Sequence, residues 1–118
     1  MSYDISFKVK VEGVDAYVRV GGYGSNITWN VRDIITKSTG LKWHNEANNG
    51  RCKDVILSIA KGFHELMTNP DKYKRYEDKG GWGTVEDTKR FFYELLRDWD
   101  EFCHFYPELI EVTTFWIE

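Results

Sequence analysis

Little in this chain would hold it together covalently or through a metal. Its two cysteines, Cys52 and Cys103, make no disulfide framework in a reducing compartment. The histidines, His44, His64 and His104, show no HxxxH or HExxH spacing, and no CxxC pair is present, so no metal and no cofactor is expected. No apolar run approaches the roughly 18 residues of a membrane-spanning helix. The opening Met1-Ser2-Tyr3-Asp4 lacks the basic and apolar regions of a signal peptide, which predicts a cytoplasmic protein with no membrane partner. Net charge is −3 and the basic residues are scattered, so duplex nucleic acid is a poor partner. Gly21-Gly22-Tyr23-Gly24 follows a strand pattern, yet it lacks the dinucleotide fingerprint and the Walker lysine.

What the chain has in quantity is aromatic side chains, and three of its five tryptophans lie where no periodic face would bury them. They fall in Gly21 to Asn30 (Trp29), in Trp43 to Arg51 (Trp43) and in Gly80-Gly81-Trp82-Gly83-Thr84 (Trp82). Glycine there lets backbone approach closely, and asparagine offers amide donors and acceptors. This is the composition of a surface that recognises something planar and polar.

Residues 1–118 read as a single α+β domain, long enough for one core and too short for two. Ile5, Phe7, Val9 and Val11 alternate with polar residues, and Ala16, Val18 and Val20 do the same after a turn at Glu12–Asp15, which predicts an N-terminal hairpin. Val31, Ile34 and Ile35 predict a short helix with Thr28 or Asn30 as its cap, Asn30 pairing with Asp33 in a capping box. Cys52, Val55, Ile56, Ile59, Phe63, Leu66 and Met67 keep helical spacing up to Asn69-Pro70, with Asn49 or Gly50 before the start. A short helix is expected over Asp71–Tyr76. A long one opens at Thr84, with Asp87 at the reciprocal position, and buries Val85, Thr88, Phe92, Leu95, Leu96, Trp99, Phe102 and Cys103. Pro107 ends it, and Ile110–Ile117 has strand composition. The expected fold is a small antiparallel or mixed sheet, the hairpin plus the last strand, packed on one face by three to four helices. Its free edges suit a homodimer.

All three tryptophan loops precede predicted helix starts, where free N–H groups favour an anion. One reading joins them in a ligand site: Trp29, Trp43 and Trp82 against a ring, Asn30, Asn45 and Asn48 on polar edges, Arg51 and Thr84 toward an anion. The other treats each as a local device, with asparagines as turn residues and caps and Trp82 as a hydrophobic staple. A catalytic reading, as a small hydrolase, rests on His44 with Glu46 or on Cys52, whose pKa a helix start could lower; the alternative makes Cys52 a buried hydrophobe.

Ile27-Thr28-Trp29-Asn30, Pro70-Asp71-Lys72-Tyr73 and Gly81-Trp82-Gly83-Thr84 together resemble a pattern in small uncharacterised proteins of bacteriophages, prophages and mobile elements, over most of residues 25–105. The chain departs from that pattern in Trp29, where tyrosine is expected, and in its longer Trp43–Arg51 loop. The resemblance carries no activity. It implies a phage-borne protein acting in the host cytoplasm, and hence a binding module that sequesters a nucleotide-like defence signal. The alternative is an inhibitor of a host or defence enzyme, with the same aromatics as its hot spots.

Overall fold

The alternation near the N-terminus becomes the central strand of a five-stranded antiparallel sheet. A computed structural model describes residues 2–13, 15–43 and 47–118, with residues 47–49 described by their backbone alone. Strand β1 (Ser2–Lys10) buries Tyr3, Ile5 and Phe7 on one face, as period-two alternation requires. Strand β2 (Tyr17–Arg19) completes the expected hairpin, pairing Lys8 with Arg19 and Lys10 with Tyr17. The last strand, β5 (Thr114–Ile117), pairs antiparallel with β1 on its other side, with Phe7 opposite Phe115.

Two strands are additions to the expected set. β3 (Asn26–Thr28) lies on the same side of β1 as β2, pairing Ser2 with Thr28 and Asp4 with Asn26. The glycine-rich Gly21–Gly24 segment bulges between β2 and β3 and turns the Tyr23 ring inward, against Phe7 at 6.3 Å and Phe102 at 5.6 Å. Gly24 permits this: its φ is +141°, and a Cβ there would stand 2.1 Å from the Ile5 carbonyl oxygen. β4 (Ala47–Arg51) occupies most of the stretch read as a loop, and its backbone pairs Ala47 with Ile117 and Arg51 with Thr114. The sequence Ala-Asn-Asn-Gly-Arg has no alternation, so only pairing with β5 makes it a strand. The strand order is β2-β1-β5-β4.

Three α-helices pack on one face of the sheet, giving a two-layer α+β fold. They are α1 (Arg32–Thr39), α2 (Cys52–Thr68) and α3 (Val85–Phe105). α2 buries Cys52, Val55, Ile56, Ile59 and Leu66 as its spacing predicts, whereas Met67 stays 54% exposed. α3 adds Phe91 to the predicted stripe and meets the sheet through Phe102, whose ring lies 5.9 Å from Phe7. Each fully buried ring or branched aliphatic chain contributes roughly 1.5–3 kcal/mol.

The helix starts differ from one another. At α3 the capping box forms as expected, with the Asp87 N–H donating to Thr84 Oγ1 and the Thr84 N–H donating to Asp87 Oδ2, both at 3.1 Å. At α1 a 3₁₀ turn over Trp29–Val31 intervenes, and neither Thr28 nor Asn30 caps through its side chain. At α2 the capping position is Arg51, still extended as the end of β4, rather than Asn49 or Gly50. The segment Asp71–Tyr76 forms two 3₁₀ turns, Pro70–Lys72 and Lys74–Tyr76, in place of a short helix. Another 3₁₀ turn at Pro107–Leu109 delays the last strand to Thr114. Among the described residues no helix is long and apolar enough to cross a membrane.

Candidate functional site

The β2–β3 bulge is stitched to α3, and that stitching creates a groove. The Gly24 N–H donates to Asp98 Oδ2 at 3.4 Å, and the Ser25 hydroxyl donates to Glu94 Oε2 at 3.2 Å. Burial pushes the Asp98 carboxyl above the usual carboxylate range, with the Gly24 N–H working against that shift. The opposite wall is the Gly80–Thr84 segment that enters α3. Gly83 has φ +91°, and a Cβ on it would meet Asn30 Cβ at 2.8 Å and Val31 Cγ1 at 3.1 Å. A glycine is therefore what lets the third loop press against the first.

Between these walls lies an open groove of about 220 Å³, lined by Asn26, Thr28, Trp82, Arg90, Phe91 and Glu94 among others. Phe91 is buried, whereas Trp82 is 74% exposed. That exposure rules out Trp82 as a buried staple for α3. The Asn26 amide donates to Asp4 Oδ1 at 2.6 Å and to Ser2 Oγ at 3.0 Å, which holds it in place. The groove thus offers an indole face, amide and hydroxyl groups, one guanidinium and carboxylates within a small space.

The other tryptophans go elsewhere. Trp43 is 1% exposed, packed edge-on to Tyr3 at 6.0 Å and to Phe91 at 5.9 Å, and it is a core residue that no ligand reaches. Its indole N–H is buried with no partner among the described residues. Trp29 stacks on Tyr3 at 5.8 Å and donates its Nε1–H to the Ser2 carbonyl at 3.0 Å, so it closes the edge of the core beside β1. A continuous aromatic series runs Trp29–Tyr3–Trp43–Phe91 and ends at the Trp82 groove. Of the three loop tryptophans, only Trp82 lines the concavity.

Among the polar residues expected in the site, Asn30 is exposed and lies against Gly83, and Thr84 is occupied in its capping box. Arg51 sits at the β4–α2 junction, 4.0 Å from Glu111 Oε2, where Lys53 also pairs with Glu111. Asn45, like His44 and Glu46, lies outside the described residues, and so does the side chain of Asn48. The helix starts carry their own partners. The Val85 N–H donates to Glu77 Oε2 at 2.9 Å, and the Cys52 N–H donates to the Thr113 carbonyl at 2.9 Å. A ligand anion would have to displace a carboxylate at α3 and a main-chain bond at α2. Cys52 is fully buried, and burial drives its thiol pKa far upward, so desolvation prevails over the helix dipole there.

Asn26, Thr28, Asp87, Arg90, Phe91 and Glu94 are among the groove residues that sequence reasoning missed. The i, i+4 spacing of Arg90 and Glu94 put them off the buried stripe, which was legible. That they face β3 was not, because β3 itself is too short to announce itself. Comparison of the chain with protein-family models, curated proteins and solved structures returned no match.

Proposed function

We propose that this chain is a binding protein that holds a flat, nucleobase-like ring against Trp82, in the groove between β3 and α3. The observation that carries the reading is an indole 74% exposed at the rim of a concavity whose other walls are polar. Leaving so large an aromatic surface in water costs stability unless something covers it in use. The volume of about 220 Å³ is below the roughly 300–1,000 Å³ of sites for drug-sized ligands, so it suits one ring system of a larger molecule. Thr28, Asn26 and Glu94 supply hydrogen-bonding groups for a base edge, and Arg90 an anchor for an attached anion. Burial of Cys52 removes the strongest nucleophile the sequence offered and supports binding over catalysis. In the phage setting that the sequence pattern implies, the protein would sequester a nucleotide signal of host defence.

Titration with cyclic dinucleotides and ADP-ribose derivatives tests this, with intrinsic fluorescence and melting temperature as readouts. A saturable response in the wild type, lost in Trp82→Ala and weakened in Arg90→Ala, is the expected result. Silence across the panel removes the small-ligand reading.

A second reading is favoured by one further observation. Arg90 also borders a shallow depression on its other side, formed by Phe63, Met67 and Tyr93, of which Met67 and Tyr93 are each 54% exposed. Trp, Tyr, Met and Arg on one surface is the composition of an interface hot spot. In that reading the protein inhibits a host or defence enzyme. A stoichiometric partner bound by the wild type and released by both Trp82→Ala and Tyr93→Ala would establish it.

A further inference from the structure

The sheet has a second face, and none of the described helices packs on it. Residues directly opposite in an antiparallel pair project to the same side. The pairs Lys8–Arg19, Lys10–Tyr17, Lys8–Thr114 and Ser6–Trp116 therefore place these residues together, away from the core that Phe7, Phe115 and Ile117 fill. At the centre of this face the Tyr17 and Trp116 rings lie 5.2 Å apart, and Lys8 Nζ stands 5.0 Å from the Trp116 ring centroid. The indole is held by its edge: Trp116 Nε1–H donates to Thr114 Oγ1 at 2.8 Å, and that hydroxyl donates to the Lys8 carbonyl at 3.0 Å. Tyr17 is 43% exposed.

Cations and carboxylates alternate on this face, in equal number. Lys8, Lys10 and Arg19 surround the two rings. The nearby carboxylates are Glu118, which pairs with Lys8, Asp4, which accepts from Asn26, and Asp15, 3.7 Å from Lys10. Next to the rings a cavity of about 330 Å³ opens where the β2–β3 bulge leaves β1, bordered by Asp4, Ser6, Arg19, Ser25, Asn26 and Glu118. Aromatic faces beside cations and a polar recess match a strand of nucleic acid with its bases unpaired. Its rings stack, its phosphates meet the cations, and an adjoining base edge finds donors and acceptors. A duplex would offer no base faces to stack on.

We propose that the uncovered sheet face binds single-stranded nucleic acid over two or three nucleotides, with Tyr17 and Trp116 as the stacking platform and Lys10 and Arg19 as phosphate contacts. This site is separate from the Trp82 groove and does not depend on it. The test is fluorescence anisotropy at low salt with a labelled mixed-sequence oligonucleotide of about ten residues, as RNA, as DNA and annealed to its complement. Single-strand binding is expected, weakened roughly tenfold by Tyr17→Ala. The slope of log affinity on log salt should fall by about 0.7 when Lys10→Ala removes one phosphate contact. Tyr17 and Lys10 are exposed, and far-UV circular dichroism checks that both variants fold. Trp82→Ala is expected to bind as the wild type does. Absence of single-strand binding, equal binding of the duplex, or affinity unchanged in Tyr17→Ala overturns the proposal. So does loss of binding in Trp82→Ala, which would assign the oligonucleotide to the groove instead.

Discussion

Replacing Trp43 by alanine separates a core tryptophan from a ligand-binding one. The side chain is 1% exposed and its ring meets Tyr3, Phe91 and Phe115, all within about 6 Å by ring centroid. Truncating a buried aromatic costs about 3–5 kcal/mol through lost transfer energy and the cavity left behind. Among the described residues the indole N–H has no partner, so truncation breaks no hydrogen bond there and the net loss falls at the lower end, about 3 kcal/mol. Against a total stability of about 5–15 kcal/mol this is a large fraction. Trp43→Phe keeps a buried aromatic ring, so it should cost clearly less than Trp43→Ala. Trp82→Ala, at a site 74% exposed, should stay within about 0.5 kcal/mol of the wild type. Urea unfolding followed by circular dichroism measures all three variants. Equal losses at positions 43 and 82, or an unchanged midpoint for Trp43→Ala, would refute the assignment of one to the core and the other to the groove.

Three other outcomes are expected. Gly24→Ala should destabilise by roughly 2–4 kcal/mol, read from the urea midpoint, because a Cβ would strike the Ile5 carbonyl at a φ that alanine avoids. The Glu65–Tyr73 pair should limit stability at both ends of the pH range. Chiefly the Tyr73 hydroxyl, 2.9 Å away, lowers the Glu65 pKa, so its contribution is present above about pH 4.5 and is lost as pH falls through the lowered folded value. Burial first, and Glu65 second, push Tyr73 up to about 12, so its contribution is present below about pH 10 and is lost as pH rises through about 12. Urea midpoints against pH should lose the Glu65 share of the acid limb in Glu65→Gln, leaving that of Glu111 beside Lys53, and keep part of the alkaline one. Finally, an aromatic disulfide reagent should label the half-buried Cys103 in the native protein and Cys52 only on unfolding; rapid native labelling of Cys52 would contradict its burial.

Where the signal was local, the sequence was sufficient. The β1–β2 hairpin shows itself by alternation, α2 and α3 by apolar spacing, and the start of α3 by a Thr84–Asp87 box that forms as read. Each depends on residues within a few positions of one another, so periodicity and capping chemistry determine it before any long-range contact exists. The remaining features depend on residues far apart in the chain. β4 is a strand only because β5 arrives beside it, and β3 only because β1 does. Trp43 is buried because Tyr3, Phe91 and Phe115 converge on it, although its own surroundings in the sequence read as a polar loop. The groove beside Trp82 likewise needs Asn26, Gly83 and Arg90 to be brought together by the docking of β3 on α3. Composition alone determined that this chain would display aromatics beside polar groups. Which of them face solvent, and which become core, was decided by non-local packing, since burial belongs to the assembled layers and not to any one segment.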